Sequence, residues 1–365
     1  MARKCQCIFP KPVEWMKGKV VGSGSFGTVH LAMDKSTGAL FVVKSAETEV
    51  GIRSLENEAN ILGNLDSPYI VKCLGKDFSC TAEDSVRKFN LFIEYMPGGS
   101  LAEVVEKFGG KLDDDLIRLY TKKILQGLIY LHENGIVHCD VKCQNVLLGL
   151  SGNIKLADFG FAKKISNSKV EKGSSIQPNV GGTPLWMAPE VLRNERLDFA
   201  ADIWSLGCTV IEMANGCCKS PWGIDFSYTN PMAAILKIAN GNEIPQFPSN
   251  LSKEGLNFLS KCLERDPKKR WTAGELLKHP FIQGKSGSRN ILENAFSPAS
   301  ILDSNLLDYN SDESSSDNEE DNEFVMSRGN PFSMRSCYGN KKLVSGNQLI
   351  SSGDWITVRS NSQTI

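Results

Sequence analysis

Four residues in a short stretch of this chain have the types and spacing to do chemistry together. Within His138–Leu148, reading HCDVKCQNVLL, stand Asp140, Lys142 and Asn145, and ten residues further on comes Asp158-Phe159-Gly160. An aspartate placed as a base can align a hydroxyl and accept its proton. A lysine two positions on can neutralise charge on a transferring phosphoryl group. Asn145 and Asp158 are hard oxygen donors suited to Mg²⁺, which takes few protein ligands and completes its shell with phosphate oxygens and water. Any one of the four alone reads as an ordinary polar loop residue. The joint spacing 140/142/145/158 suits convergence on a triphosphate. His138 reads as a structural hydrogen-bonding residue rather than a catalyst.

A second group lies near the start, in Val21-Gly22-Ser23-Gly24-Ser25-Phe26-Gly27-Thr28-Val29. Glycines at 22, 24 and 27 let the backbone lie close over phosphates with its N–H groups available. A lone match of this kind fits a dinucleotide-binding turn or a plain hairpin equally well. The dinucleotide turn needs a helix next, whereas Thr28–Ala32 reads as a strand. Val29 then fits a wall against an adenine ring. Lys44 ends the strand-like run FVVK; a lysine is usually a solvated charge, but here a buried ion pair against phosphates is the alternative.

These residues need elements to hold them. The segment from Trp15 to Asp34 alternates as strands around the glycine turn, Asp34–Gly38 reads as a hairpin connection, and ALFVVK as the next strand. Ile52, Leu55, Ala59 and Leu62 form a helical stripe. Glu58 lies about 60° from the stripe's centre, pointing inward along its edge, and Glu56 about 200° round from Glu58 is the competing partner for Lys44. Further strands are expected around Ile70–Leu74 and Asn90–Tyr95, and Gly98-Gly99 marks a hinge-like break. Beyond it the chain is helical, with stripes at Ile117, Tyr120, Ile124, Leu128, Leu131 and at Ile203, Leu206, Val210, Met213. Asp202 opens the second of these, as an N-cap or as a support for the catalytic-loop backbone.

Composition bounds the rest. The 365 residues are 41% hydrophobic with a net charge of −1, so a sizeable core is available and no global field favours nucleic acid or an anionic membrane. Eleven cysteines without paired C-x-x-C spacing suggest reduced thiols in an intracellular protein. No signal-peptide or bilayer-spanning run is present and residue 2 is alanine, which rules out N-myristoylation. A soluble protein of the cytoplasm, the nucleus or both is expected. Residues 1–14 read as an arm. Apolar periodicity falls away after Gly284, and Asp308–Glu323 holds eight acids and no base. Residues 283–365 are therefore expected to be a disordered regulatory tail, with apolar islands at Ile301–Leu307 and Trp355–Val358 that could dock regulators or another surface.

The motifs in order, GSGSFGTV, VVK, Glu58, HCDVKCQN, DFG, GGTPLWMAPE with Glu190, Asp202 and Arg270, resemble a complete eukaryotic protein kinase domain over residues 15–282. The roles given above to residues 140–158 draw on that pattern as well as on chemistry. The resemblance implies an α+β bilobal kinase fold: a small β-rich lobe to about residue 96 with one key helix, then a larger, mostly α lobe, with ATP and Mg²⁺ between. It implies Ile93 as gatekeeper, backbone contacts to adenine at Glu94 and Met96, and a bidentate Glu190–Arg270 pair. Asp-x-Lys at 140–142 with Thr183-Pro184 resembles serine/threonine kinases. GTPLWMAPEVL, DFGFAKK and RWTAGELLKHPFI are similar to plant MEKK-type MAP kinase kinase kinases, which implies a MAP kinase kinase as protein substrate. A PAK-like kinase one tier upstream and a pseudokinase scaffold are the alternatives.

One position departs from the family. Cys139 stands where an arginine usually receives a phosphorylated loop residue. Phosphate on Ser166, Ser168, Ser174, Ser175 or Thr183 then lacks one main receptor, and control is expected to rest on abundance, partners or the tail.

Overall fold

The computed structural model describes residues 14–24, 27–80, 87–165, 181–195, 197–216, 220–223, 230–284 and 356–359. The chain begins as an antiparallel sheet: β1 (Glu14–Gly24), β2 (Gly27–Asp34), β3 (Leu40–Ala46), β4 (Cys73–Cys80) and β5 (Arg87–Glu94), with helix α1 (Glu49–Leu62) between β3 and β4. The β2–β3 turn forms as the sequence predicts. Asp34 Oδ1 accepts the N–H groups of Ser36 (2.8 Å) and Thr37 (3.0 Å), and Gly38 closes the turn at φ +73°. Thr48 caps α1 by accepting from Gly51 N–H.

Both faces of this sheet are apolar. One packs Phe89, Leu91 and Ile93 with Leu55, Ala59 and Leu62 of α1 into the main core. The other carries a small second core of Trp15, Ala32, Phe41, Val43 and Phe92, whose three aromatic rings meet edge to face at 5.8–6.2 Å. Each such pair contributes about 0.5–1.5 kcal/mol beyond its buried area.

One strand begins later than expected. Of the run Ile70–Leu74 only Cys73 and Leu74 belong to β4. Val71 N–H donates to Leu156 O and Leu156 N–H to Tyr69 O, so Ile70 and Val71 pair with the second lobe. The true β4 is the more polar CLGKDFSC, held by its ladder to β5 rather than by a hydrophobic pattern of its own.

The second lobe comprises β6 (Gly99–Ser100), α2 (Leu101–Lys107), α3 (Asp114–Glu133), β7 (Ile136–Val137), β8 (Val146–Leu148), β9 (Ile154–Leu156), β10 (Lys163–Lys164), α4 (Pro189–Leu192), α5 (Ala200–Asn215), α6 (Pro231–Asn240), α7 (Lys253–Cys262), α8 (Ala273–Leu277) and α9 (Pro280–Gln283). The five stripe residues of α3 are all buried. The stripe on α5 understates it, because Ala201 to Ala214 is buried without interruption. A helix apolar all round belongs inside a core, and α5 is the post around which the larger lobe packs. Among the described residues no helix is long and apolar enough to cross a membrane. Within the segment expected to be disordered, Ile356–Arg359 forms a last strand, β11, on the β1 edge of the sheet. The island Ile301–Leu307 lies outside the described residues.

The expected Glu190–Arg270 pair is buried and bidentate, at 2.7 and 3.1 Å, and Arg270 also donates to the carbonyls of Ala200 and Glu264. Removing one partner strands a desolvated charge. Arg270→Ala is expected to destabilise the protein by about 3–5 kcal/mol, whereas the apolar pair Arg270→Met with Glu190→Leu should recover most of that loss. Urea unfolding of the three proteins is the check; a double variant no more stable than Arg270→Ala would show that the carbonyl contacts of Arg270, not its charge pair, dominate.

Candidate active site

Of the stretch His138–Leu148, residues His138–Asn145 form a loop between β7 and β8, and its shape is set by a buried carboxylate beneath it. Asp202 accepts Cys139 N–H through Oδ1 (2.9 Å), and through Oδ2 it accepts His138 N–H (2.9 Å) and meets His132 Nε2 (2.9 Å). α5 is capped at Phe199 without a side-chain bond, so Asp202 acts as the loop support and not as an N-cap. The two backbone bonds hold Cys139 at φ +67°, a left-handed conformation that a non-glycine residue keeps only where its surroundings over-determine it. His138 is structural, as expected: its Nδ1 accepts from Asp140 N–H, its Nε2 reaches Ala157 O, and its ring lies 4.7 Å from that of Phe159.

On this support the predicted residues converge. Asp140 is buried, and its Oδ1 accepts the N–H (2.9 Å) and the hydroxyl (2.7 Å) of Thr183. Its Oδ2 meets Asn145 Nδ2 (2.8 Å) and Lys142 Nζ (3.0 Å). Lys142 also donates to Thr183 Oγ1, so base, lysine and threonine form one closed set. Asn145 Nδ2 donates further to Asp140 O, which leaves the amide oxygen as the atom suited to a cation.

Asp158 reaches the set from the other side. Lys44 Nζ lies 2.8 Å from Glu58 Oε2 and 2.8 Å from Asp158 Oδ1, which settles Glu58 rather than Glu56 as its partner. Burial lowers the Lys44 pKa, but the Glu58 and Asp158 carboxylates outweigh it and push it above the ordinary lysine value. Burial likewise opposes charge on Asp158, yet the Lys44 ammonium holds its carboxyl below the usual range. Burial raises Glu58, whose second oxygen accepts Phe159 N–H at 3.2 Å. Asp158 sits at φ +64° and its side chain is 35% exposed, the open one in a buried triad. An anionic carboxylate and an amide oxygen fit a magnesium ion that takes its other ligands from phosphates and water.

The glycine segment is the β1–β2 hairpin, with Gly22 opposite Val29, Ser23 opposite Thr28 and Gly24 opposite Gly27; Ser25 and Phe26, at its tip, lie outside the described residues. The glycines have different reasons. A Cβ on Gly24 would meet nothing within 4 Å, so that stretch of backbone faces open space. A Cβ on Gly27 would fall 2.1 Å from Ser45 O, so Gly27 is required by the close approach of β3. Val21 is exposed and Val29 half-buried. At the other edge of the cleft Glu94 Oε1 accepts both Lys72 N–H and Lys155 Nζ at 2.6 Å, which ties this side chain to its neighbours. Ile93 and Met96 are buried beside it.

Three contributors carried no signal in the sequence. Asn57, next to Glu58 on α1, points its Nδ2 at the carbonyls of Phe159 (3.3 Å), Gly160 (3.2 Å) and Ala162 (3.0 Å). Glu212, raised by burial, accepts from Cys143 N–H and Trp186 Nε1 and so ties the loop to the segment after Thr183. Lys155 links the lobes through Glu94. An amide, an acid and a lysine at these positions are compositionally ordinary, and only folding shows what they touch. Asn57→Ala removes uncharged bonds that hold residues 159–162 against α1, and loss of one to two such bonds is expected to lower kcat about tenfold. Steady-state kinetics checks this alongside a melting curve; an unchanged kcat would mean that Glu58 alone suffices to hold the segment.

The chain matches the family model for the protein kinase domain over residues 15–282. It is 40% identical over 314 residues to mitogen-activated protein kinase kinase kinase 2 of Arabidopsis thaliana, covering 82% of this chain and 46% of that protein. It is 38% identical over 294 residues to mitogen-activated protein kinase kinase kinase 17 of the same plant, covering 80% of this chain and 76% of that one. With mitogen-activated protein kinase kinase kinase 1 of Mus musculus it shares 40% over 289 residues, 77% of this chain and 19% of that protein. The chain thus spans less than half the length of some curated relatives and about three-quarters of others. With its catalytic loop, ion-pair triad and glycine hairpin in these places, this chain belongs to the protein kinase family, and its sequence resembles the MEKK-type mitogen-activated protein kinase kinase kinases of plants.

Proposed function

We propose that this chain is an ATP-dependent serine/threonine kinase that transfers the γ-phosphate to the activation loop of a MAP kinase kinase. The observation that carries the chemistry is the closed set Asp140–Lys142–Thr183–Asn145 facing the Lys44–Asp158 pair. In this reading Asp140 aligns the substrate hydroxyl and accepts its proton, and Lys142 balances the charge that develops on the transferred group. Lys44, kept protonated by its two carboxylates, grips the α- and β-phosphates. Backbone N–H groups of Gly22–Val29 cover the phosphates, and the Glu94 and Met96 backbones take the adenine edge. Magnesium held by Asn145 and Asp158 would neutralise the triphosphate and orient it. The substrate tier rests on the names of the similar proteins, each called a kinase of MAP kinase kinases.

The same reading extends to control. Cys139 is buried among protein atoms, and burial pushes its thiol far above the usual range, so it neither receives a phosphate nor reacts readily. Thr183 is already engaged by Asp140 and Lys142. Ser166, Ser168, Ser174 and Ser175 lie outside the described residues. Activity then depends little on loop phosphorylation.

Incubation with ATP, Mg²⁺ and a kinase-dead MAP kinase kinase is expected to give phosphoserine and phosphothreonine, and Asp140→Asn to lower the rate at least about 100-fold. Transfer equal in parent and variant would refute the catalytic reading. Alanine at each of the four loop serines should leave the rate within about threefold, well under the 10³–10⁵ that a missing charge clamp costs phosphoryl transfer. A loss that an acidic replacement restores would overturn the control reading.

A further inference from the structure

The sheet of the small lobe does not end at β1. Its outer edge pairs antiparallel with β11, in the register Glu14–Arg359, Trp15–Val358, Met16–Thr357 and Lys17–Ile356. The sequence explains why this segment and not another. Ile356-Thr357-Val358 is the sole run of three β-branched residues between 285 and 365, and Gly353-Asp354 and Ser360-Asn361 bound it with turn formers. Glu14 and Arg359 are register partners.

We infer that Ile356–Arg359 is a docking strand that the chain carries for its own small lobe, and that it steadies the glycine hairpin through β1. The edge of a sheet presents unpaired N–H and C=O groups and takes an added strand readily. Four residues alone would bind weakly, since each ladder hydrogen bond is worth only about 1 kcal/mol net. Here the strand belongs to the same chain. About 70 residues separate it from Gly284, a length whose extended reach of roughly 230 Å poses no geometric obstacle, and the tether makes docking intramolecular.

The coupling to the nucleotide follows from the course of β1. The docked half, Glu14–Lys17, contains Trp15, which packs on Phe41 and Phe92 of the outer core. The same strand runs on to Gly24 at the hairpin tip, with register shifts against β2 between Lys17 and Val20 and between Val20 and Gly22. Such irregularities weaken a two-stranded ladder and let its tip bend. With β11 in place the base of β1 is paired on both sides, so bending is confined to the part beyond Lys17. Loss of β11 leaves β1 a one-sided edge strand and frees the whole hairpin.

The inference rests on the nucleotide-binding part of the proposed function, and its test separates the two. Thr357→Pro with Val358→Pro removes ladder donors of either parity, while Thr357→Val with Val358→Thr keeps both the donors and the β-branched types. In the full chain, hydrogen exchange at Glu14–Lys17 is expected to quicken about tenfold in the proline variant, the loss of one to two ladder bonds, and to change little in the exchanged Val–Thr variant. The dissociation constant for a fluorescent ATP analogue is expected to rise about threefold in the proline variant. Equal exchange at Glu14–Lys17 in parent and proline variant overturns the docking strand, and equal nucleotide affinity overturns its coupling to the hairpin. A parent that binds no nucleotide refutes the kinase reading instead, and the exchange measurement still decides the strand.

Discussion

The rest of the site depends on one buried triad of charges, Glu58–Lys44–Asp158. A lone ammonium or carboxylate at that depth would discharge or drag in water, so each member is tolerable only while the others are in place. The three come from a helix, a strand of the small lobe and the turn after β9 in the large lobe. Their mutual attraction therefore fixes α1 against β3 and residues 158–160 against α1. The arrangement is also unfinished as a salt bridge, with two negative charges on one cation. That surplus negative charge, on the half-exposed Asp158, is what suits the place to a divalent ion.

A second buried carboxylate does for the catalytic loop what the triad does for the cleft. Asp202 lies on α5, the most deeply buried helix, and takes two consecutive backbone N–H groups together with His132. A loop fastened to the centre of the core can hold Cys139 in a left-handed conformation and present Asp140, Lys142 and Asn145 on one side. Glu212, ten residues further along α5, fastens the far end of the loop at Cys143 and joins it to Trp186. Both fastenings are hydrogen bonds from backbone amides or ring nitrogen, and neither uses residue 139's side chain. The geometry is thus complete without the arginine that the family usually carries there. Asn57 adds a further uncharged hold, between α1 and residues 159–162.

Much of this was legible beforehand where short-range rules apply. The β2–β3 turn, the α1 stripe and the α3 stripe came out at the expected residues because local periodicity and turn chemistry decide them. β4 did not, since its residues are polar and its partner strand, not its own pattern, makes it a strand. Of the run Ile70–Leu74, expected to be that strand, Cys73 and Leu74 open it, while Ile70 and Val71 are drawn to Leu156 across the lobes. α5 reads as one stripe in sequence and is buried on every side, because the burial of a helix's second face depends on what packs there. Asn57, Lys155 and Glu212 escaped notice for the same reason. Their partners lie tens of residues away or more, and a polar residue announces no partner by its type.

By itself the sequence determined the reaction class, since the residue types and spacings at 140, 142, 145 and 158 constrain the chemistry before any fold is known. It also determined that Cys139 breaks the usual pattern. Which of two glutamates meets Lys44, whether Asp202 caps its helix or supports the loop, and why Gly27 differs from Gly24 were decided only in three dimensions. So was the partner of Ile356–Val358, within the apolar island that the sequence offered for docking without saying to what. The physical reason is common to all of these. Periodicity tells which face of an element is apolar, but burial, hydrogen-bond pairing and edge pairing are properties of two surfaces at once, and the second surface exists only after the chain has folded.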